Sequence, residues 1–385
     1  MALVALATVA GAWAIGAARV EADLQPVLKQ ALPQAQRFEA TPSGVYRAWR
    51  SDEDRETLVG HVAVGTANGY SGPVELAVAT DLEGRVAGLA IVRQRETPAF
   101  AARVFRTNLL RSLLGRSYGE PFVVGQDVDN VTGATYTARA LADAARRGSR
   151  AAASLGLQRA VLPEPAPRLS IGFPEITVVA LFVAGFVGRR NWRGITRYVR
   201  WGSMLTGLVV LGFMYNCPLT LTNINGLLMG FWPTWQTHLY WYLLIGGILL
   251  AVVTQRTNAY CDWFCPFGAA QECLAAVGRA RGRGPARFSG LLTWIQRGLA
   301  WGAILVALAL RDPGVTSYEV FGTLFDLTGS SVQFLLLALV LTAALFIRRP
   351  WCRYLCPLRP VTDMATLLRR WAGEPWNRKT IRARV

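Results

Sequence analysis

Histidine is almost missing from this sequence: 385 residues contain two, His61 and His238, on distant segments. A haem held by two imidazoles is therefore excluded as a working reading. Cysteine is scarce as well, with six. Three disulfides would suit a secreted protein, but four of the six are paired at short spacing beside arginine-rich segments. Reduced thiolates binding a metal suit that placement better. Acidic residues number 24 against 41 basic, for a net charge of +17. No DNA-binding motif, kinase module or domain-sized repeat is visible. The Arg281-Gly282-Arg283-Gly284 run has no phosphate-loop context and reads as a flexible, lipid-facing loop.

The positive charge is localised. Five basic residues lie between Arg189 and Arg200, five between Arg256 and Arg287, and ten between Arg348 and Arg384. They follow the ends of apolar runs and do not line one groove, so membrane topology explains them and nucleic-acid binding does not. Hydrophobic residues make up 52% of the chain, and the mean hydropathy is +0.28. From residue 171 onward, uncharged runs near 172–188, 201–216, 239–255, 291–310 and 332–347 alternate with arginine clusters, the pattern of helices crossing roughly 30 Å of hydrocarbon. The 217–237 loop has no lysine or arginine, and the 311–331 loop has only Arg311. By the positive-inside rule these loops lie outside, and the 189–200, 256–290 and 348–385 segments lie inside. Trp192, Trp201, Trp235, Trp241 and Trp351, near span ends, fit interfacial anchoring. Residues 1–19 carry an uncharged stretch that reads as an anchor helix, with a signal peptide as the alternative. Either one exports residues 20–160, where helical sequence near 20–33, 99–115 and 135–153 brackets strand-like runs between Thr57 and Gln94. The expected organisation is an α+β domain over 20–160, a proline-bearing linker over 161–170, and an all-α polytopic membrane domain of five spans over 171–360. A basic cytoplasmic tail follows over 361–385.

Asp129-Asn130-Val131-Thr132-Gly133-Ala134-Thr135 resembles the flavinylation signature of FMN-binding domains in Rnf and Na⁺-translocating quinone reductase subunits. That resemblance implies FMN held by a phosphoester to Thr135, attached by a separate flavin transferase. It also makes Asp129, Thr132, Gly133 and Ala134 parts of the attachment loop. Small residues there let an enzyme and a phosphate approach the backbone. The plain alternative is a turn capping a helix that starts near Thr135. Gly69-Tyr70-Ser71-Gly72-Pro73 before a strand and Glu96-Thr97-Pro98 after a later one stand in that family's order, which adds Glu96 and Thr97 to the cofactor-binding residues. Ala99-Phe100 replace the glycine that usually follows Glu-Thr-Pro.

Cys261-Asp262-Trp263-Phe264-Cys265-Pro266 and Cys352-Arg353-Tyr354-Leu355-Cys356-Pro357 each follow an apolar span. Residues four apart share a helix face, so each pair can aim two thiolates the same way. Together they offer four sulfur ligands, which suits an iron–sulfur cluster or a tetrahedral zinc. The proline stops a regular helix and leaves nearby amides for sulfur. Arg256, Arg348, Arg349 and Arg353 offset thiolate or cluster charge. Spacing permits both metals, and a flavin on the same chain favours a redox cluster, 4Fe-4S first. Cys217 and Cys273 read as small packing residues. His238 reads as a helix-end hydrogen-bonding residue, with proton transfer to a quinone as the alternative.

A flavin domain, five later spans and two CxxxCP motifs resemble the NosR/NirI family and its PceC-like relatives. Tyr260 to Ala269 is similar to that family's first motif, which Gln271-Glu272 continue. Arg359-Pro360 replace a more usual Gly-Ala after the second. The cysteines of two C-terminal ferredoxin modules do not appear before Val385, so the build is closer to the shorter PceC-like form. The resemblance implies a protein of the bacterial inner membrane with its FMN domain in the periplasm. Its partners would be membrane lipid, a quinone, and a periplasmic reductase or other acceptor. Electron transfer is the leading expectation, over a gap of roughly a bilayer's hydrocarbon thickness. A redox-sensing regulatory or maturation role is the second, and a structural zinc clamp beside an independent flavin is the third.

Overall fold

A computed structural model describes residues 2–18, 23–52, 55–129, 131, 134–188, 195–255, 258–280 and 289–373. They form two compact units. The first joins Met1–Leu169 to Thr222–His238 and Ile304–Ser317, and the second holds Ser170–Leu221, Leu239–Ala303 and Tyr318–Val385.

The first unit is α+β. After helices α1 (Ala2–Ala17) and α2 (Gln25–Ala31), strands β1 (Arg37–Ala40), β2 (Val45–Asp52), β3 (Arg55–Asn68), β4 (Pro73–Thr80) and β5 (Val86–Gln94) form an antiparallel meander in the order β1-β2-β3-β4-β5. Helices α3 (Pro98–Phe105), α4 (Leu109–Ser112) and α5 (Thr135–Ala151) follow. Alternation along β4 divides the sheet into two faces. Val74, Leu76 and Val78 join Leu141, Ala144 and Ala145 of α5 in one core, whereas Ala77 and Ala79 join Leu28, Ala31 and Leu32 on the other face. Helix α5 lies very close to the sheet. A Cβ at Gly65 would stand 1.9 Å from the Ala144 carbonyl oxygen, so only glycine permits that approach. The expected linker is irregular but held down: Glu164 pairs with Arg146 and Arg150 of α5 at 3.0 Å each.

In the rest of the chain the described elements are all helical. Helix α6 is Phe173–Gly188, and α7 (Ile195–Thr206) winds on as a π-helix through Met214. Next come α8 (Leu221–Leu228), α9 (Leu239–Gln255), a π turn at Tyr260–Phe264, α10 (Pro266–Val277) and α11 (Ser289–Leu310). The last four are α12 (Phe321–Phe325), α13 (Ser331–Ala344), α14 (Pro350–Tyr354) and α15 (Leu358–Gly373). Helices thus stand at all five expected spans. One, Gly290–Leu310, is long and apolar enough to cross a membrane unaided, while Phe173–Gly188, Leu239–Thr254 and Ser331–Ala344 are apolar but shorter.

Two expectations change within the second unit. Trp351 is fully buried and Trp241 nearly so, which makes them core residues and not interfacial anchors. Trp351 stands between Phe267, Phe321 and Tyr318, with ring centroids at 5.8, 6.3 and 6.2 Å. Trp235 is exposed, and Trp192 lies outside the described residues. Segments expected in outer loops also reach the cysteine motifs. The Leu219 N–H donates to the Tyr260 hydroxyl at 3.0 Å, and the Tyr318 hydroxyl donates to the Leu355 carbonyl at 3.1 Å. New helices begin at Pro266 and Pro350, so neither motif continues the span before it as one regular helix.

Candidate flavin and metal sites

Thr135 is the first residue of α5, half-buried, and Ala134 before it is buried at the N-cap position. The free amides and dipole of a 17-residue helix favour an anion at this end, which fits a phosphate esterified to the threonine. Asp129 is exposed, and its amide donates to the Ser112 hydroxyl at 3.3 Å. Thr132 and Gly133 lie outside the described residues.

Glu96 and Thr97 form a buried polar centre with the loop before β4. The Ser71 hydroxyl lies 2.9 Å from that of Thr97, and the Glu96 carboxylate accepts from the Ser71 amide at 3.4 Å and the Thr137 hydroxyl at 3.2 Å. A Cβ at Gly69 would stand 1.7 Å from Glu96 Oε1, so any larger residue there would push the carboxylate from its place. Burial pushes the Glu96 carboxyl up to about 7, against the pull of hydrogen bonds from Ser71, Thr137, Tyr70 and Gly72. Thr137, two residues past Thr135, ties this centre to α5.

An aromatic stack beside it was not legible in the sequence. Tyr136 stands between Tyr70 and His238, with centroids at 5.8 and 5.4 Å. His238 is buried, its Nδ1 lies 2.9 Å from the Thr237 hydroxyl, and burial holds the imidazole below its usual range. It makes the local hydrogen bonds expected there, with its amide also donating to the Thr234 carbonyl at 3.1 Å, and adds the stack on Tyr136. Arg95 lies over the Phe231 ring at 4.7 Å. No local pattern predicts these pairings between residues far apart in the chain.

Cys261, Cys265, Cys352 and Cys356 line one cavity of about 480 Å³ in the second unit, with Phe321, Trp351 and Arg349 among its other walls. Both motifs close in the same way: the Cys265 amide donates to the Tyr260 carbonyl at 2.8 Å and the Cys356 amide to the Trp351 carbonyl at 2.9 Å, each spanning five residues. The wider turn replaces the regular helix expected for each pair. Pro266 then starts α10, which frees the Phe267 and Gly268 amides to bond the Cys265 sulfur. The Leu358 amide does the same for Cys356. The Asn258 side-chain amide donates to Cys261 Sγ at 3.0 Å and that of Gln271 to Cys352 Sγ at 3.5 Å. Each of the four sulfurs therefore has a donor. Burial raises all four thiols, Cys352 to about 11, so a bound metal must displace their protons.

The donor set fits a cluster. Among the described residues, no three His, Cys, Asp or Glu side chains are close enough to share one metal ion. A tetrahedral zinc with bonds of ~2.3 Å needs sulfurs only ~3.8 Å apart, whereas four thiolates spread around one cavity match a polynuclear core. Arg349 links the two motifs. Its guanidinium donates to the Cys261 carbonyl at 2.7 Å and pairs with Glu272 at 2.9 Å, and Arg200 holds the same carboxylate at 2.8 Å. Arg348 and Arg353 line the cavity, and Arg256 lies outside the described residues. Cys217 is buried and does not line the cavity, nor does Cys273.

Comparison with known proteins finds both kinds of domain. Residues 69–149 match the FMN-binding domain, and residues 237–284 and 321–374 match the 4Fe-4S binding domain. The chain is similar to protein NirI of Paracoccus denitrificans (strain Pd 1222), at 31% identity over 206 residues, which is 50% of this chain and 30% of NirI. It is 28% identical over 128 residues to a component of the ion-translocating oxidoreductase complex of Salmonella typhimurium (strain LT2), covering 31% of this chain and 62% of that one. Regulatory protein NosR of Pseudomonas aeruginosa (strain PAO1) is 30% identical over 177 residues, 42% of this chain and 24% of NosR. The chain thus spans less than two thirds of each of these relatives.

Proposed function

Because the chain belongs to the NosR/NirI-like family, with an FMN-binding and a 4Fe-4S binding domain, we propose that it carries electrons within a membrane. They pass between a cluster on Cys261, Cys265, Cys352 and Cys356 and FMN esterified to Thr135, in support of a respiratory reductase of the cell envelope. The observation that carries this reading is the four-cysteine cavity in which every sulfur has a hydrogen-bond donor, on the same chain as a flavin attachment helix. Cluster and flavin supply one-electron chemistry when bound. The residues do the rest: the cysteines hold the metal core, Arg349 offsets its charge while Glu272, shared with Arg200, holds that guanidinium in place, and Trp351, Phe267 and Phe321 keep water from its inner wall. Thr135 fixes the flavin phosphate at a helix N-terminus, and Glu96 braces the adjoining loop.

We place the helices across the bacterial inner membrane in several passes, with the flavin domain on the periplasmic side. The arginine distribution supports this, as does the grouping of the loops Thr222–His238 and Ile304–Ser317 with the flavin domain in one unit. A quinol is the proposed donor, a periplasmic reductase the acceptor, and a flavin transferase the maturation partner. Tyr318, Phe321 and Leu219, from segments expected outside, stand beside the cysteine motifs. A second reading, redox sensing that controls a reductase, draws on the regulatory name of the NosR relative.

Iron, acid-labile sulfide and zinc analysis of anaerobically purified protein tests the proposal. Iron and sulfide with an EPR signal on reduction, lost in Cys261→Ser and Cys352→Ser, is the expected result. Stoichiometric zinc without iron would sink it. A cysteine variant that changes reductase abundance while electron flux per reductase survives would favour the regulatory reading.

A further inference from the structure

Three carboxamides surround the cysteine motifs, and they differ in what they bond. Asn258 grips Cys261 twice. Its Oδ1 accepts from the Cys261 amide at 3.2 Å while its Nδ2 donates to Cys261 Sγ at 3.0 Å. Gln271 is fully buried on α10 and crosses from one motif to the other. Its Oε1 accepts from the Trp351 amide at 2.9 Å, and its Nε2 donates to the Phe267 carbonyl at 3.0 Å and to Cys352 Sγ at 3.5 Å. These partners fix the orientation of both amides: the oxygen must meet a backbone N–H, so the NH₂ group faces sulfur. Gln296 is the contrast. It donates to the carbonyl oxygens of Cys356 at 2.8 Å and Cys352 at 3.4 Å.

We propose that Asn258 and Gln271 are positioning residues that set the reduction potential of the cluster through N–H···S bonds to one cysteine of each motif, while Gln296 only holds the second motif's backbone. The inference rests on the cluster reading above. Reduction adds one electron and places more negative charge on the ligand sulfurs. A donor aimed at sulfur stabilises that form more than the oxidised one, so it raises the potential. Bonds to backbone carbonyls add no such difference. A plain packing role for all three amides predicts equal consequences for their removal.

The test is an EPR-monitored redox titration of the full-length protein and of Asn258→Ala, Gln271→Met and Gln296→Met, with iron measured in each. In Asn258→Ala and Gln271→Met the equilibrium constant for reduction should fall about tenfold. That is ~59 mV more negative for one electron, at unchanged iron and sulfide content. Gln296→Met should leave the potential in place. Unmoved potentials in both donor variants at full iron occupancy, or an equal shift in Gln296→Met, would overturn the proposal. Should the donor variants lose their iron, the wild-type protein with side-chain ¹⁵N in asparagine and glutamine decides. Pulsed EPR should detect ¹⁵N coupled to the reduced cluster, and no such coupling refutes the assignment. Wild-type protein without iron overturns the cluster reading itself, an outcome distinct from the others.

Discussion

Replacing Glu96 by glutamine should remove a pH dependence that wild type carries in its flavin domain. The carboxyl is 1% exposed, and burial raises it from 4.5 to about 7. In this interval the folded domain holds a proton that the opened loop releases. Stability is therefore full below pH 4.5, falls as pH rises through the window, and levels off above pH 7. At ~1.36 kcal/mol per pH unit, the loss is about 3 kcal/mol. Glutamine fits without rearrangement: its oxygen can take the place of Oε1 against the Ser71 amide, and its NH₂ can donate to the Thr137 hydroxyl, which rotates to accept. Hydrogen–deuterium exchange of peptides covering 69–97 in full-length protein measures this opening. After correction for intrinsic exchange, wild-type protection should fall about tenfold per pH unit between pH 5 and 7, and Glu96→Gln should be flat. Parallel profiles for the two proteins would refute the reasoning, and a wild-type profile rising with pH would reverse its sign.

Other consequences are simpler to read. Thr135→Ala should abolish the flavin fluorescence that stays with the denatured protein on a gel, whereas Thr135→Ser should retain it through the same hydroxyl chemistry. Cys217→Ser and Cys273→Ser should keep full iron content, because neither thiol lines the cavity. Gly65→Ala drives a Cβ into the α5 backbone at Ala144, and should cost about 2–3 kcal/mol, seen as a drop of roughly 5–10 °C in flavin-detected melting.

Legibility followed the range of the interactions involved. The five long apolar segments, the strands β3, β4 and β5 and the helix starting at Thr135 are written in local periodicity and composition, so the sequence predicts them. Strands β1 and β2 went unread because Arg37, Arg47 and Arg50 interrupt short, partly exposed pieces that alternate too briefly to stand out. The four candidate cysteines could be named from CxxxCP spacing. The π-type turns that aim the sulfurs, and the return of the Leu219 and Phe321 segments to the cysteines, depend on packing between distant residues. Asn258 carried a faint signal, a carboxamide three residues before Cys261. Gln271 carried less, since its sulfur partner is Cys352, 81 positions away. Trp351 misled for a related reason: tryptophan at a span end suits an interface, but here Phe267, Phe321 and Tyr318 enclose it.

The central claim is that the cysteine site and the flavin belong to one electron path. Its most direct test is anaerobic stopped-flow reduction by a short-chain quinol of the full-length protein in liposomes, followed by flavin bleaching and compared with Cys265→Ser/Cys356→Ser. The account predicts flavin reduction in the wild type and a loss of at least a hundredfold in rate in the variant, with covalent flavin content unchanged. Equal bleaching rates in the two proteins would contradict it.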